Sequence, residues 1–395
     1  MSVFSPLKVA AQIRHELTTL GERGYPDFVT GRFPEPVPAR VPVFSFHDVE
    51  GEKLERQLAY LKRNGYSTIT PDEYLARRGE SRGERLVLLT FDDGHASLWR
   101  AAWPVLQKFN MRAAAFLLPG EMKDAGAPRP HGDGPVGDPL ITWAEARTMR
   151  GVLDLQSHSH IHWIMFTSSR LTGFHSPVTR DKRYFIERPV LREKEGDDFD
   201  RRHPLGAPLY EMDSRLGGKR RVIEPLAPRE ACVAYVAGQG GDRFFSRKGW
   251  GEELTRVHGQ AAAGAAFIEE SPEARREAIL RQVTLSKTTL EARLPGVRAR
   301  HFCFPFSIGS TEAALAARDT GFAALYWGAA APEWAGSIEG VVNVTRVKDD
   351  YLFRLPGEGR WPLRKALWEK VKRRLNLPAA FHSPPLGAQS RGAAA

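Results

Sequence analysis

Short apolar runs of strand length alternate with helical segments over two stretches of the chain. The run VPVFSFHDV (41–49) precedes EKLERQLAYLKRNGY (52–66), where leucines recur at helical spacing before Gly65. Two further buried-type strands, RLVLLTFDDG (85–94) and AAAFLLP (113–119), flank another helical segment. Strands separated by helices of this length indicate βαβ units and a parallel sheet or barrel. We therefore expect an α/β fold, a deformed (β/α) barrel.

The alternation stops after residue 162 and resumes with a long helix, the strand RARHFCFPF (298–306), a helix closed by Gly321 and the strand FAALYW. This interruption predicts the domain organisation. We expect an N-terminal arm over 1–40, a barrel over 41–350 with an inserted region at 163–295, and a basic C-terminal helix with a disordered tail over 351–395. The insertion is interpreted as an extended loop region of the barrel, and not as an independent domain.

The composition limits the classes of function. Apolar residues make up 42% and charged residues 26% of the chain, as in ordinary globular proteins. Only Cys232 and Cys303 are present, which excludes a disulfide framework or a four-thiolate zinc site. The N-terminal segment has no uninterrupted apolar stretch, and nowhere do about 18 consecutive apolar residues occur. We therefore expect a cytoplasmic protein.

The positive charge favours acidic partners without choosing among them. Lys and Arg total 57 against 47 acidic residues, a net charge of +10. No finger-type or aromatic-interleaved basic signature is present, so we expect no nucleic-acid partner. The segment RWPLRKALWEKVKRRLN (360–376) combines helical leucine spacing with basic residues. It suits peripheral contact with an anionic membrane, although a basic helix packed on its own domain is the interpretation we favour.

Two carboxylates, Asp92 and Asp93, end the strand RLVLLTFDDG. Active sites gather at the carboxyl ends of parallel strands, and both side chains can approach one cavity where the strand enters a turn. Two neighbouring carboxylates resist ionising together unless a cation is present. One carboxylate acting as a metal ligand and the other as a base would resolve that conflict. A simple Asp-Asp-Gly turn remains the alternative for this motif alone.

A histidine cluster, HSHIH (158–162), follows another predicted strand. If the segment stayed extended, His158, His160 and His162 would share one face. A helical turn instead brings His158 and His162 together, since residues four apart meet on one side of a helix. We favour the turn, which with Asp93 predicts an Asp-His-His metal site with positions open for water.

These motifs resemble those of the NodB-type polysaccharide deacetylases, family four of the carbohydrate esterases. TFDDG and H-S-x-x-H are similar to the first two motifs of the family, and FCFPFS (302–307) is similar to its aromatic-Pro-aromatic turn. The similarity covers about 41–162 and 296–345. It implies a deformed barrel of the NodB type and the hydrolysis of an acetyl group on a carbohydrate.

The resemblance also implies a role for each matching residue. Asp92 is expected to be the general base, and Asp93, His158 and His162 the ligands of a divalent metal, most simply Zn²⁺. Phe306, with Pro305 before it, is assigned to the substrate and the oxyanion. The chain departs from the family at two places, described next.

Many members carry an arginine where this chain has Cys303, and many supply the acid from a late Leu-x-His motif that is absent from VVNVTRVKDD (341–350). The run VFSFHDV resembles the early strand of the poly-N-acetylglucosamine deacetylase subgroup, in which the acid histidine precedes TFDDG. We therefore expect His47 to be the general acid, against the alternative of a structural histidine. His95 is a weaker candidate, expected at the rim of the site.

The sequence thus predicts a metal-dependent hydrolase that removes acetyl groups from an N-acetylated amino sugar in a glycan or a glycan precursor. Three alternatives stay open. The same residues could support a carbohydrate O-acetyl esterase or a hydrolase of linear amides outside sugars, and the two departures are compatible with a non-catalytic carbohydrate-binding protein. The sequence does not predict an oligomeric state.

Overall fold

The computed structural model describes residues 25–32, 34–131, 138–182, 186, 188–190, 192–193, 199–200 and 203–374. Most of the expected N-terminal arm and the tail expected to be disordered lie outside the described residues. Two compact units divide the described chain. The first comprises 25–159, 285–307 and 317–374, and the second comprises 160–284 and 308–316. The predicted insertion, 163–295, overlaps most of the second unit, although its last residues lie in the first.

A nine-stranded sheet organises the first unit, and every pairing in it is parallel. Eight of its strands follow one another in space as Val342–Val344, Ala324–Tyr326, His301–Cys303, Leu153–Ser157, Ala113–Leu117, Leu86–Phe91, Val43–Phe46 and Val347–Lys348. The ninth, Ser67–Thr68, pairs with Leu86–Phe91. Among the described residues the two ends of this path do not pair, so the sheet is a curled, open barrel. The predicted deformed (β/α) barrel is confirmed.

The helices of the first unit connect these strands as the hydrophobic pattern predicts. They are Asp27–Thr30, Gly51–Arg63, Pro71–Ala76, Trp103–Phe109 and Trp143–Met149, with Leu363–Arg374 at the C-terminal end. A π-helical turn, Leu98–Ala102, precedes Trp103–Phe109, and short 3₁₀ helices span Pro305–Ser307, Glu333–Ser337 and Asp349–Arg354. Thr70 and Thr142 each begin a helix with a capping box, in which the threonine hydroxyl accepts from a backbone N–H three residues later.

The central strands of the sheet are buried on both faces, as expected for parallel strands covered by helices. All six residues of Leu86–Phe91 and all five of Ala113–Leu117 are buried. Inside the sheet, Phe116 packs against Tyr326 with ring centroids 4.8 Å apart. This packing holds the strands side by side. Their carboxyl ends therefore lie together at one end of the sheet, where polar side chains can project.

The second unit has a hydrophobic core of its own. Two long antiparallel strands, Ile164–Phe174 and Pro208–Ser214, pair with local register shifts. Shorter antiparallel pairs join Val222–Ile223 to Ile268–Glu269 and Arg192–Glu193 to Phe199–Asp200. The remaining elements of this region are Pro177–Lys182, Arg215–Gly217, Leu226–Gly238, Gly241–Ser246, Trp250–Ala262, Pro272–Arg293 and Thr311–Asp319, the last two of which continue into the first unit.

The core of the second unit consists of the buried residues Phe174, Cys232, Val236, Phe244 and Leu254. The region was interpreted as an extended loop of the barrel. The predicted insertion therefore contains a buried cluster of its own, formed between helices and paired strands.

The basic C-terminal helix Leu363–Arg374 packs part of its charge inward. Lys370 is 2% exposed and pairs with the equally buried Asp350, with 3.2 Å between Nζ and Oδ2. Trp368, in contrast, is 55% exposed. Both alternatives considered for this segment therefore retain support from its side chains. None of the described helices has the length and apolar composition needed to cross a bilayer.

Candidate active site

Asp92 and Asp93 leave the carboxyl end of strand Leu86–Phe91, as predicted. The turn is tight because Asp93 and Gly94 both have a φ of +68°. This left-handed conformation is uncommon for residues other than glycine, and it lets two successive side chains avoid the opposite orientations of an extended strand. Both carboxylates are buried, with exposures of 3% for Asp92 and 6% for Asp93.

Asp92 is held by an arginine that the sequence analysis did not identify. Arg346 donates from Nη1 to Oδ1 at 2.6 Å and from Nη2 to Oδ2 at 2.8 Å, which makes a bidentate pair. Burial alone would raise the pKa of Asp92, but the charges of Arg346 and His158 outweigh it and hold the pKa below its usual value. The carboxylate is therefore ionised, as a general base requires.

His47 follows strand Val43–Phe46 and approaches Asp92 from the exposed side of the site. Its Nε2 lies 3.8 Å from Oδ2 of Asp92, and its side chain is 47% exposed. Partial enclosure lowers the pKa of His47, and the nearby Asp92 and Asp93 reduce this shift without reversing it. A solvent-facing imidazole beside the expected base has the position that a general acid needs.

Asp93 contacts two histidines. His158 Nε2 lies 3.2 Å from Oδ1, and His95 Nε2 lies 3.2 Å from Oδ2. His95 was expected at the rim, but it is 5% exposed and packs directly against Asp93. The expected position at the rim was therefore wrong, because the ring lies inside the site against a buried carboxylate.

The orientation of His158 follows from its other ring nitrogen. Nδ1 lies 2.9 Å from the carbonyl oxygen of Cys303, so it carries the proton and donates it. Nε2, 3.2 Å from Oδ1 of Asp93, is then the nitrogen through which a neutral ring could bind a cation. Burial opposes charge on the ring, but Cys303, Asp93 and Asp92 raise the pKa of His158 well above its usual value. A cation bound at Nε2 would take the place of that proton.

His158 and His162 are joined by an irregular turn, and the predicted helical turn is not formed. Ser159 has a φ of +68° and His162 a φ of +53°. These two left-handed residues fold the segment back on itself. The two histidines that we favoured as ligands therefore meet, although by a different route from the one predicted.

Two groups of buried side chains could hold a metal ion among the described residues. One consists of Asp93, His158 and His162, and the other of Asp92, His158 and Cys303, each with ligand atoms within 4.8 Å of one another. In the second group, Arg346 already contacts Asp92 and lies 3.0 Å from Cys303 Sγ. A cation would have to displace this guanidinium. The first group, a carboxylate and two imidazoles, has the donor set that suits a catalytic divalent metal.

The FCFPFS segment places Phe306 on an exposed turn. Pro305 is buried, while Phe306 is 46% exposed. Phe306 and Ser307 have φ values of +55° and +58°. An aromatic residue in this conformation is strained, and such strain persists where surrounding structure enforces it, often at functional sites.

Positive φ angles concentrate in the turns that carry the expected site residues. Eight non-glycine residues among those described have a positive φ, and five of them lie in these turns: Asp93, Ser159, His162, Phe306 and Ser307. The backbone is thus distorted at the carboxyl edge, where functional groups are aimed. Elsewhere in the sheet it is regular.

Comparisons with known proteins identify similar sequences and structures. Residues 79–185 match the family model described as polysaccharide deacetylase. The matched segment contains both aspartates and both ligand-type histidines. The chain carries a NodB-type polysaccharide deacetylase domain. The predicted family is therefore confirmed, and the roles of His47, Phe306 and Arg346, which lie outside the matched segment, rest on geometry.

Two relatives of this polysaccharide deacetylase domain are similar over part of their length. The Bacillus subtilis protein named "Putative polysaccharide deacetylase YxkH" is 32% identical over 91 residues, which are 20% of this chain and 33% of that protein. The poly-beta-1,6-N-acetyl-D-glucosamine N-deacetylase of Escherichia coli K12 is 29% identical over 153 residues, 36% of this chain and 22% of that protein. The chain thus spans a third or less of these relatives.

Solved structures resemble the polysaccharide deacetylase domain more distantly. The BpsB deacetylase domain from Bordetella bronchiseptica covers 80% of this chain and 98% of its own, at 17% identity and a TM-score of 0.47. IcaB from Ammonifex degensii covers 82% of this chain and 99% of its own, at 17% identity and a TM-score of 0.44.

Arg346 and His95 are the site residues that the sequence analysis missed or misplaced. Arg346 lies in VVNVTRVKDD, the segment that lacks the late histidine of many family members. Position 303 lacks the arginine that many family members carry there. This absence was the sequence signal that another cation would have to pair with Asp92.

Proposed function

We propose that this chain is a metal-dependent hydrolase that removes the acetyl group from an N-acetylated amino sugar. The observation that carries the proposal is a buried Asp93–His158–His162 group directly beside the ionised Asp92. The family match supports deacetylation of a carbohydrate. The name of the E. coli relative favours an N-acetylglucosamine polymer as the substrate.

Zn²⁺ is the metal that we propose. One carboxylate and two imidazoles form a three-residue set that leaves positions for water and substrate, as in catalytic zinc sites. A divalent cation bound there would polarise the acetyl carbonyl and make an adjacent water more acidic.

The side chains around the site would divide the proton transfers. Asp92 accepts a proton from the attacking water as the carbon–oxygen bond forms. The backbone N–H of Phe306, on its strained turn, donates to the developing oxyanion. When the carbon–nitrogen bond breaks, His47 gives a proton to the departing amine. The products are acetate and a free amino sugar.

An O-acetyl ester would pass through the same steps with an alkoxide as the leaving group. The geometry of Asp92 and His47 does not separate the two substrates. A panel that pairs N-acetylated and O-acetylated oligosaccharides distinguishes them by the acetate released from each. A non-sugar acetamide added to this panel tests for hydrolysis of linear amides outside sugars.

The test compares metal content and acetate release for the wild type, Asp92→Asn and His47→Ala. The probes are oligomers of β-1,4- and β-1,6-linked N-acetylglucosamine. We expect stoichiometric metal in all three proteins, because neither variant removes a proposed ligand. Each variant should lose roughly 10²- to 10⁴-fold in kcat, the usual contribution of a general base or acid.

Several results would contradict the proposal. A wild-type protein that binds no divalent metal removes its basis. Metal without turnover of any panel substrate would favour a carbohydrate-binding role. Full activity of His47→Ala would leave the base and the metal site intact but assign the acid to another residue.

Peripheral contact with an anionic membrane is a separate proposal for helix Leu363–Arg374. Its support is the exposed Trp368 beside the exposed Arg364 and Lys365. Binding to vesicles of anionic lipid should weaken in Trp368→Ser and in Arg364→Glu/Lys365→Glu. Equal binding by these variants and the wild type would contradict it. The cytoplasmic location stays a prediction, which cell fractionation would test.

A further inference from the structure

We propose that Arg346, which lies between strands Val342–Val344 and Val347–Lys348, positions the carboxylate of Asp92 in the space that the small side chain of Cys303 leaves. This role rests on the proposed deacetylase function, in which Asp92 is the base. Arg346 is a positioning residue in this proposal, because it acts on the reaction through Asp92.

The contacts of Arg346 account for all of its hydrogen-bond donors. Nε donates to the carbonyl oxygen of Trp327 at 3.0 Å. Nη1 donates to Thr90 Oγ1 at 3.0 Å and to Asp92 Oδ1 at 2.6 Å. Nη2 donates to Asp92 Oδ2 at 2.8 Å and to Cys303 Sγ at 3.0 Å. A guanidinium has five N–H donors in a fixed plane, and each has a partner here.

This arrangement fixes the plane of the Asp92 carboxylate. Thr90 lies on strand Leu86–Phe91, which leads into Asp92, while Trp327 follows strand Ala324–Tyr326. The guanidinium is therefore anchored to two separate parts of the sheet, and its side chain is only 3% exposed. Rotation of Asp92 would break two charged hydrogen bonds at once, so the oxygen that faces the site stays in one orientation.

Cys303 provides the space that this solution requires. Its thiol is fully buried and contacts both Arg346 and Asp92, the latter at 3.8 Å between Sγ and Oδ2. A larger side chain at 303 would enter the volume of the guanidinium. The two positions are therefore complementary: the small side chain at 303 leaves space, and the arginine at 346 fills it and places one cation beside Asp92.

A purely structural ion pair is the competing explanation. Buried pairs add little net stability, although removing one partner is costly because the other charge remains buried. Loss of activity in Arg346→Ala could therefore follow from local unfolding alone. The experiment must separate orientation of Asp92 from general stability.

The first measurement is kcat, KM, metal content and thermal midpoint for the wild type, Asp92→Asn, Arg346→Ala and Arg346→Lys. We expect kcat of Arg346→Ala to fall roughly 10- to 100-fold with little change in KM or metal content, as when a residue that orients a reacting group is lost. Lysine keeps the charge but not the bidentate geometry, so Arg346→Lys should recover only part of the loss. This variant also keeps the test informative if the alanine variant does not fold.

Two rescue experiments test position directly. Millimolar guanidinium chloride, compared with sodium chloride, should raise kcat of Arg346→Ala and leave the wild type unchanged. The double variant Arg346→Ala/Cys303→Arg should exceed Arg346→Ala in kcat, because it returns a guanidinium to the same carboxylate from strand His301–Cys303. Cys303→Arg alone should impair the enzyme, since two guanidinium groups then compete for one space.

Arg354→Ala is the matched control for loss of a buried arginine. Arg354 is 2% exposed and donates to the backbone carbonyls of Val29, Gly31 and Trp361. Arg354→Ala should lower the thermal midpoint, and added guanidinium chloride should not raise the kcat of this variant.

Three outcomes would overturn the role of Arg346. The first is wild-type kcat in either single Arg346 variant. The second is a loss of kcat that neither rescue changes and that accompanies the same fall in thermal midpoint as in Arg354→Ala. The third is a wild type that releases no acetate from the oligosaccharide panel, which contradicts the proposed function and removes this role with it. Only in the third case is the wild type itself inactive, so the two failures are distinguishable.

Discussion

Two groups of histidines occupy very different surroundings. His158, at the carboxyl edge of the sheet, contacts the carboxylate of Asp93 and lies near that of Asp92. His175, His203 and His258, in the second unit, have neutral partners: a threonine hydroxyl, a backbone carbonyl and a tyrosine hydroxyl. His158, His175 and His203 are all buried, so burial does not separate the two groups.

The partners reverse the effect of burial on the pKa. Burial lowers the pKa of His203 to about 3; the hydrogen bond to Pro189 opposes this shift, and the nearby Arg229, His175 and Arg188 add to it. His258 shifts in the same direction for the same reason. The pKa of His158 instead rises well above its usual value because acidic groups surround it. A buried histidine beside carboxylates can bind a cation, whereas one beside neutral groups stays neutral and supports packing.

The largest predicted difference between the groups concerns metal and activity. His158→Gln should lose most bound metal and at least roughly 100-fold in kcat, since a direct ligand should matter at least as much as the residues that orient ligands. His203→Gln should keep both, because its partner is a carbonyl in the second unit. Metal analysis and acetate release on the two purified variants check this. Equal metal content in the two variants would contradict the proposal that His158 is a metal ligand and His203 is not.

The next effect concerns stability as a function of pH. The pKa of His203 is about 3 in the folded protein and about 6.5 in the unfolded chain. The folded-state value is the depressed one, so the stabilisation is present above pH 6.5 and is lost as the pH falls towards 3. His203 should contribute a slope of up to about 1.4 kcal/mol per pH unit in that window.

Urea unfolding of the wild type and His203→Gln between pH 7 and 4.5 measures this slope. The variant should lose less unfolding free energy over the interval, because glutamine can donate to the same carbonyl but does not titrate. Parallel pH profiles for the two proteins would show that His203 is not held neutral by the fold.

The smallest expected effect belongs to the third histidine. Tyr210 OH and His258 Nε2 lie 2.9 Å apart. Tyr210→Phe removes this hydrogen bond and keeps the packing of the ring, so unfolding free energy should fall by about 1 kcal/mol. Acetate release should not change. A loss of activity with unchanged stability would indicate that the second-unit histidines serve the reaction.

Local sequence pattern accounts for much of the fold and part of the site. Burial of strand Leu86–Phe91 and the end of that strand before Asp92 follow from an apolar run entering a turn. The same reasoning located His158 after Leu153–Ser157. These predictions held because the carboxyl ends of parallel strands share an edge whatever the rest of the chain does.

The sequence did not predict the form of the His158–His162 turn. Spacing of four residues fits a helical turn, but Ser159 and His162 adopt left-handed conformations instead. Such conformations cost energy in isolation, so only the surrounding fold can enforce them. Residue spacing alone therefore predicted that this pair would meet, but it predicted the wrong backbone conformation for the turn.

The sequence by itself determined the alternating architecture, the edge where the site forms, and the identities of Asp92, Asp93, His158 and His162 as its candidates. Tertiary structure alone decided which cation holds the base, since Arg346 and Asp92 are 254 residues apart in the chain. It also decided that His95 packs against Asp93. The physical reason is separation along the chain. Strands and turns depend on neighbouring residues, whereas the partner of a buried charge depends on how segments distant in sequence pack together.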